Sequence, residues 1–293
     1  MRYRCDCSGT LDVVHDLSHC TLTREKLDAR LASKNPLDRS GVWRFRELIL
    51  PLGEGVLEAI AVTRGEGSTH LYEASTLGAR VGVANLWLKH EGENPTGSFK
   101  DRGMTAAITL AKHLGMGAVA CASTGNTSAS MASYAARAGM DAIVFIPEGK
   151  IAFGKLSQAL AYGAKTIQIE GDFDDAMELV QKVCDSEGIY LVNSINPFRI
   201  EGQKANGFEI MQDLHWQVPD WVVLPGGNLG NRLNNINTSL YLRVLFDLAD
   251  ASAISKLTLK MKYDDGFAAF LNGVRVAFSN SSASTTWNST STG

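Results

Sequence analysis

No stretch of the 293-residue sequence strings together the roughly 18 apolar residues that a membrane span needs. Its start, MRYRCDCSGT, has no apolar core of the kind a secretory signal carries. A basic excess is missing as well. Lys and Arg number 28 against 31 Asp and Glu, a net charge of −3, so no global field recruits nucleic acid or an acidic membrane. The five cysteines (Cys5, Cys7, Cys20, Cys121, Cys184) are an odd number scattered along a long chain. That argues against a disulfide framework and for a reducing compartment. Hydrophobic residues at 45% and charged residues at 20% sit near the globular averages of about 45–50% and 25%. A disordered chain and a collagen-like fibre are thereby excluded. At roughly 150 residues per domain, the expectation is a soluble, cytoplasmic protein of about two domains.

One region lacks more than the rest. From Arg232 onward there is no Glu, His, Cys or Pro, while Ser, Thr and Asn crowd the end, SNSSASTTWNSTSTG. A shift of this kind marks a domain boundary or a linker. It falls directly after a glycine-rich stretch, PGGNLGN.

Before that seam, strand-like and helix-like segments alternate. NLWLKH reads as a strand, SFKDRGMTAAITLAKHLG as a helix stopped by glycine, and AVACAS as a strand. The helix TSASMASYAARAG, the buried-type strand DAIVFIP and the helix FGKLSQALAYG follow. KTIQIEG, FDDAMELVQKVCDSEG and IYLVNS continue the alternation, IEGQKANGFEIMQDL reads as helical, and WVVLP as a strand. This pattern predicts βαβ units, an α/β fold with a parallel sheet over about residues 80–231. The first 80 residues are less regular, and SGVWRFRELILP looks like a helix or an extended arm closed by proline. After the seam, LYLRVLFDLAD, KLTLKMKYDD, GFAAFLNG and VRVAFSN alternate with DDG and LNG turns, which predicts antiparallel β.

The chemistry concentrates in KHEGENPTGSFKDRGM, residues 89–104. Lys100 stands just inside a predicted helix behind a Pro-Thr-Gly-Ser turn. An isolated lysine there would be a solvated helix-face residue. Phe99 and Met104 make its surroundings partly apolar, and desolvation lowers an ammonium pKa. A lysine so placed suits Schiff-base chemistry with a carbonyl group. ENPTGSFKDRG resembles the cofactor-lysine motif of fold-type II pyridoxal-phosphate enzymes, and threonine synthases most of all. By that resemblance Lys100 is the catalytic residue and holds pyridoxal 5′-phosphate, with Phe99 beside it.

Three further motifs follow in the family's order. ASTGNTSAS sits at a strand-to-helix turn, where unpaired N–H groups and the helix dipole attract anions. Alone it could be a plain N-cap turn. The resemblance implies that Ser123, Thr124 and Thr127 bind the substrate carboxylate and that Asn126 contacts the cofactor ring oxygen. In NSINPFRIEGQK, Arg199 is a natural partner for phosphate or carboxylate, though by itself it could make a surface salt bridge. The resemblance implies that Ser194 and Arg199 hold the substrate phosphate. In PGGNLGN, successive backbone N–H groups make an anion nest after a strand. The resemblance assigns Gly226, Gly227, Asn228, Leu229, Gly230 and Asn231 to the cofactor phosphate.

Lys150 and Lys155 could steer an anionic substrate or be solvated helix-end lysines. His70 stands where family members usually carry proline, and a role as base is disfavoured. Cys5, Cys7, His15, His19 and Cys20 offer zinc donors, but C-x-C lacks the usual knuckle spacing, so no metal is expected. Asp264 and Asp265 read as a turn rather than a calcium site. The N-x-S/T triplets at Asn237, Asn280 and Asn288 reflect Ser/Thr richness.

The expected organisation is an N-terminal segment over 1–80 and a pyridoxal-enzyme-like α/β region over 81–231, with a smaller subdomain at about 116–190. An unrelated β-rich tail over 232–293 follows, resembling a fragment of a bacterial jelly-roll-like module. The resemblance implies conversion of O-phosphohomoserine to threonine and phosphate, a small-molecule substrate, no nucleic acid or membrane partner, and compatibility with a homodimer. It ends near residue 231, whereas family members continue past the glycine loop. The large domain is therefore expected to be incomplete, a fusion or truncated frame joined near residues 230–233, with activity open to loss. Other fold-type II reactions (threonine deaminase- or cysteine synthase-like) and a non-catalytic chimaera are the alternatives.

Overall fold

The structure, a computed structural model, describes residue 5, residues 11–53, 55–149 and 153–224, and two strands of the tail. The chain divides into two compact units, Met1–Cys5 with Thr10–Gln217, and Asp6–Gly9 with Val218–Gly293. The PGGNLGN loop lies outside the described residues, as do all sites expected between it and Phe267.

The first unit opens with α1 (Arg24–Leu31) and α2 (Pro36–Arg39). Thr23 caps α1 by accepting from the Lys26 N–H, and Asn35 caps α2 ahead of a proline in its first turn. A 3-10 turn, Trp43–Phe45, runs into α3 (Arg46–Ile49), and α4 is Val56–Ile60. Residues 40–51, expected as a helix or an extended arm, thus hold a 3-10 turn that runs into a single α-helical turn. They are no arm: Trp43, Phe45 and Ile49 are fully buried. β1 (Leu71–Glu73), α5 (Ser75–Val81) and β2 (Trp87–Lys89) follow, with β1 and β2 antiparallel and Leu71 opposite Lys89.

The alternating region then runs α6 (Lys100–His113), β3 (Ala118–Ala122), α7 (Asn126–Ala138), β4 (Asp141–Pro147), α8 (Phe153–Ala161), β5 (Lys165–Ile169), α9 (Phe173–Glu187) and β6 (Tyr190–Leu191). The strands form one sheet in the order β5-β4-β3-β6, parallel throughout. This is the α/β architecture that the alternation predicts. IEGQKANGFEIMQDL is helical but broken at Lys204 into α10 (Pro197–Gln203) and α11 (Ala205–Asp213). The strand expected at WVVL is not formed; residues 221–224 carry no regular structure.

Helix α6 organises the unit. Its first twelve residues, Lys100 to Ala111, are all buried. Met104, Ala107, Ile108 and Ala111 pack with Val119, Cys121, Val144 and Met131 between helix and sheet. Ala106 and Leu110 pack with Trp43, Phe45 and Ile49 on the opposite side. A helix buried all round must satisfy its polar groups internally. Thr105 accepts from the Trp43 indole N–H at 2.8 Å and donates to the Val62 carbonyl at 2.6 Å, while Thr109 accepts from the Val62 N–H at 2.9 Å. Helix α9 covers the other sheet face, placing Ala176, Val180 and Cys184 against Ala120, Ala122, Phe145 and Leu191. A parallel sheet needs both faces covered, and these two layers do it.

In the second unit, β7 (Phe267–Leu271) and β8 (Val274–Ser279) pair antiparallel, as the alternation predicts. Among the described residues, no helix is long and apolar enough to cross a membrane.

Candidate active site

Lys100 opens α6 with its ammonium 4.0 Å from the centre of the Phe99 ring. Burial pushes the ammonium down to about 8, and the nearby positive charge of Arg199 pushes in the same direction. It is therefore not a solvated helix-face lysine.

Two glycines bring Arg199 there. A β-carbon on Gly103 would stand 2.6 Å from the Arg199 carbonyl oxygen, and one on Gly202 would stand 2.0 Å from the Arg102 carbonyl oxygen. Helices α6 and α10 can cross this closely only because both positions lack a side chain. Arg199 is buried, its Nη1 donating to the Val192 carbonyl at 3.0 Å and its Nε having no partner among the described residues. Burial lowers its guanidinium to about 10, which leaves it cationic at neutral pH. Arg199 is thus no surface salt bridge. It is a buried cation whose hydrogen-bonding capacity is only partly used.

The second wall is the turn from β3 into α7. Ser123 accepts from the Gly125 N–H at 3.1 Å, and Ser128 donates to the Gly125 carbonyl at 2.8 Å, which shapes the turn. No side chain caps α7, so its first N–H groups stay open to an anion. The hydroxyls of Thr124 and Thr127 have no hydrogen-bond partner among the described residues. The Asn126 Oδ1 is buried and has no partner among the described residues. Asn193, which the sequence reading passed over, bonds β3 twice: it accepts from the Ala122 N–H and donates to the Ala122 carbonyl, both at 2.9 Å. The end of β6, with exposed Ser194 next in line, is thereby fastened to the residue preceding Ser123.

A family model described as "Pyridoxal-phosphate dependent enzyme" matches residues 62–232. The chain belongs to this family. Over 229 residues it is 49% identical to a threonine synthase of Methanocaldococcus jannaschii, covering 78% of this chain and 54% of that protein. Over 230 residues it is 51% identical to a threonine synthase of Methanosarcina acetivorans, covering 78% and 53%. A solved structure of maize serine racemase matches with a TM-score of 0.46 at 25% identity, over 50% of this chain and 45% of that one. The chain spans about half the length of the curated relatives it matches.

The cofactor of this pyridoxal-phosphate dependent family is an aldehyde carrying a phosphate, and the donor set suits such a group. A lysine with a lowered pKa supplies a nucleophilic amine near neutral pH. Arg199 and the uncapped start of α7 favour anions. The orphaned Asn126 oxygen also needs a partner.

The remaining candidates lie elsewhere. His70 is 73% exposed and paired through Nδ1 with Glu93 at 2.8 Å. Lys155 donates to the Thr96 carbonyl at 3.2 Å and so braces the turn before Lys100 rather than standing free. His15 Nε2 meets Glu201 at 2.5 Å, and Cys5 is disulfide-bonded while Cys20, Cys121 and Cys184 are free. His15 and Cys5, two of the five possible zinc donors, are thus engaged in other pairings.

Under the site lies an ionic cluster that sequence reading missed. Arg102 clasps Glu91 through Nε at 2.7 Å and Nη2 at 2.8 Å and reaches Glu209 at 2.6 Å. Glu209 also meets Lys89 at 3.1 Å and Arg44 at 3.3 Å. Burial alone would lower the Arg102 guanidinium, but Glu91 and Glu209 outweigh it and raise it. These pairings offset part of the desolvation penalty that burial imposes, while Arg102 Nη1 and Arg44 Nε have no partner among the described residues.

Proposed function

We propose that this chain acts as a threonine synthase, converting O-phosphohomoserine to threonine and phosphate. The observation that carries this is Lys100, buried beside Arg199 with its amine near 8, in a chain about half of whose aligned residues match named threonine synthases. Pyridoxal phosphate, when bound, supplies an electron sink for charge that develops at the substrate Cα. Lys100 would carry the cofactor, and its amine would hold and move protons at the substrate α and β carbons. Asn126 and the loop of residues 226–231 hold the cofactor, with Phe99 against Lys100. Ser123, Thr124 and Thr127 bind the substrate carboxylate at the start of α7. Ser194 and Arg199 bind the phosphate that leaves.

The organisation proposed with it is an N-terminal segment to residue 80, an α/β region over 81–231 and a tail from 232. The end of the family match at residue 232 supports the last boundary, and a sheet running from Ala118 to Leu191 nearly coincides with the subdomain at about 116–190. A cytoplasmic location and a homodimeric state complete the proposal; sedimentation of the purified chain checks the second.

The test begins with the purified full chain and added pyridoxal phosphate. A visible absorption band should form and be abolished by Lys100→Ala. Phosphate release is then followed with O-phosphohomoserine, and turnover with homoserine and threonine as phosphate-free controls. No band overturns the cofactor assignment and favours a non-catalytic chain. A band without phosphate release overturns the threonine synthase assignment while leaving a cofactor-binding protein.

A further inference from the structure

We infer that Asp101 is a positioning residue, whose buried carboxylate locks the turn in front of Lys100 and ties it to the helix that begins at Asn126. This rests on the reading of Lys100 as the cofactor lysine.

Asp101 is fully buried. Its Oδ2 accepts from the Thr96 N–H at 2.7 Å, and its Oδ1 accepts from the Thr96 hydroxyl at 2.7 Å and the Ser130 hydroxyl at 2.5 Å. Hydrogen bonds to a buried carboxylate are short and strong, and these three donors take the place of the water that burial removes. Thr96 is held on its remaining side as well, since its carbonyl accepts from Lys155 of α8. All three polar groups of Thr96 are therefore engaged, two of them by Asp101.

Sequence position gives the clamp its consequence. Thr96 lies in the turn that delivers the chain to Lys100, and Asp101 is the next residue after that lysine. Ser130 lies one helical turn beyond Asn126 on α7. A single carboxylate thus joins the turn before Lys100, the start of α6 and the start of α7. The two walls of the site, one bearing the amine and the other the orphaned Asn126 oxygen, are set relative to each other through it. Among the described residues the Lys100 ammonium rests on the Phe99 ring without a hydrogen bond, and the Lys100 N–H donates to the Ser98 hydroxyl at 3.4 Å, so its placement depends on this framework.

The function of Asp101 here is geometric, and that separates its variants. In Asp101→Asn the amide oxygen can accept from the Thr96 N–H while the amide nitrogen donates to the Thr96 and Ser130 hydroxyl oxygens. Asp101→Ala removes every link, and Ser130→Ala removes only the link to α7.

The experiment uses the full chain and two readouts. The first is the pH dependence of Lys100 labelling by an amine-reactive reagent without cofactor, read by peptide mass spectrometry. The second is the affinity for pyridoxal phosphate, read from its absorption band. Asp101→Ala should move the labelling midpoint upward toward that of an ordinary lysine and weaken the affinity about tenfold or more, as loss of hydrogen bonds to a charged group implies. Ser130→Ala should weaken it several-fold, and Asp101→Asn should stay within about twofold of the parent. If Asp101→Ala does not fold, Ser130→Ala against Asp101→Asn carries the comparison. Equal midpoints and affinities in parent and Ser130→Ala, or in parent and folded Asp101→Ala, overturn the inference. A labelling midpoint that moves as expected in a chain that forms no band supports the clamp and instead overturns the cofactor reading.

Discussion

Lys100 is a cation held beside another cation in a place that water barely reaches. Both effects lower its pKa, to about 8 from an ordinary 10.5, burial more than the Arg199 charge. The unfolded chain keeps this proton to about 10.5 while the folded chain releases it near 8. The unfolded state then binds more protons between those values, and stability contributed by this site rises with pH across that window. Because the neutral amine is the nucleophile, the rate of pyridoxal phosphate attachment should climb through pH 8 and level off above it. Stopped-flow absorbance from pH 6.5 to 9.5 checks this, and a rate still climbing tenfold per pH unit at 9.5 would show that the amine is solvated. The motif around Lys100 was legible in the sequence because lysine, turn and apolar neighbours are contiguous. Asp101 was not, although it is the adjacent residue. Its partner Ser130 is 29 positions away, and nothing local distinguishes a buried carboxylate from a solvated one.

Among the elements, the crossing of α6 and α10 decides whether Arg199 reaches Lys100. Gly103 and Gly202 each stand too close to the opposing backbone to admit a β-carbon, and backbone cannot swing aside as the end of a flexible side chain can. Gly202→Ala should separate the two helices, destabilise the unit by about 1–3 kcal/mol as overpacking does, and weaken the response of Lys100 to Arg199. Urea denaturation together with Lys100 labelling checks both consequences, and an unchanged denaturation midpoint would refute the close crossing. The helices themselves were readable from apolar spacing and glycine stops, and α7, α8 and α9 fall where their segments predict. The break at Lys204 and the missing strand at residues 221–224 were not. Helical spacing continues through Lys204, and an apolar run such as WVVL does not announce whether a neighbouring strand is there to pair with it.

At the scale of the whole molecule, the chain spans about half the length of the relatives it matches, and the family match ends at residue 232. The composition differs beyond this point, with no Glu, His, Cys or Pro from Arg232 onward. If the tail is unrelated to the cofactor unit, a chain ended after Asn231 should still form the Lys100-dependent absorption band. A band lost from an otherwise folded chain would make the tail part of that unit.

By itself the sequence determined the class of the fold, the motif around Lys100 and the order of the loops proposed to bind ligand. Those depend on periodicity and on residues that are neighbours along the chain. Only the tertiary structure decided which polar groups are buried and what answers them. Arg102 meets Glu209 across 107 positions and Asn193 meets Ala122 across 71. Burial and charge pairing are properties of atoms brought together in space, and a lysine becomes a nucleophile only when the fold removes its water and brings up a second positive charge.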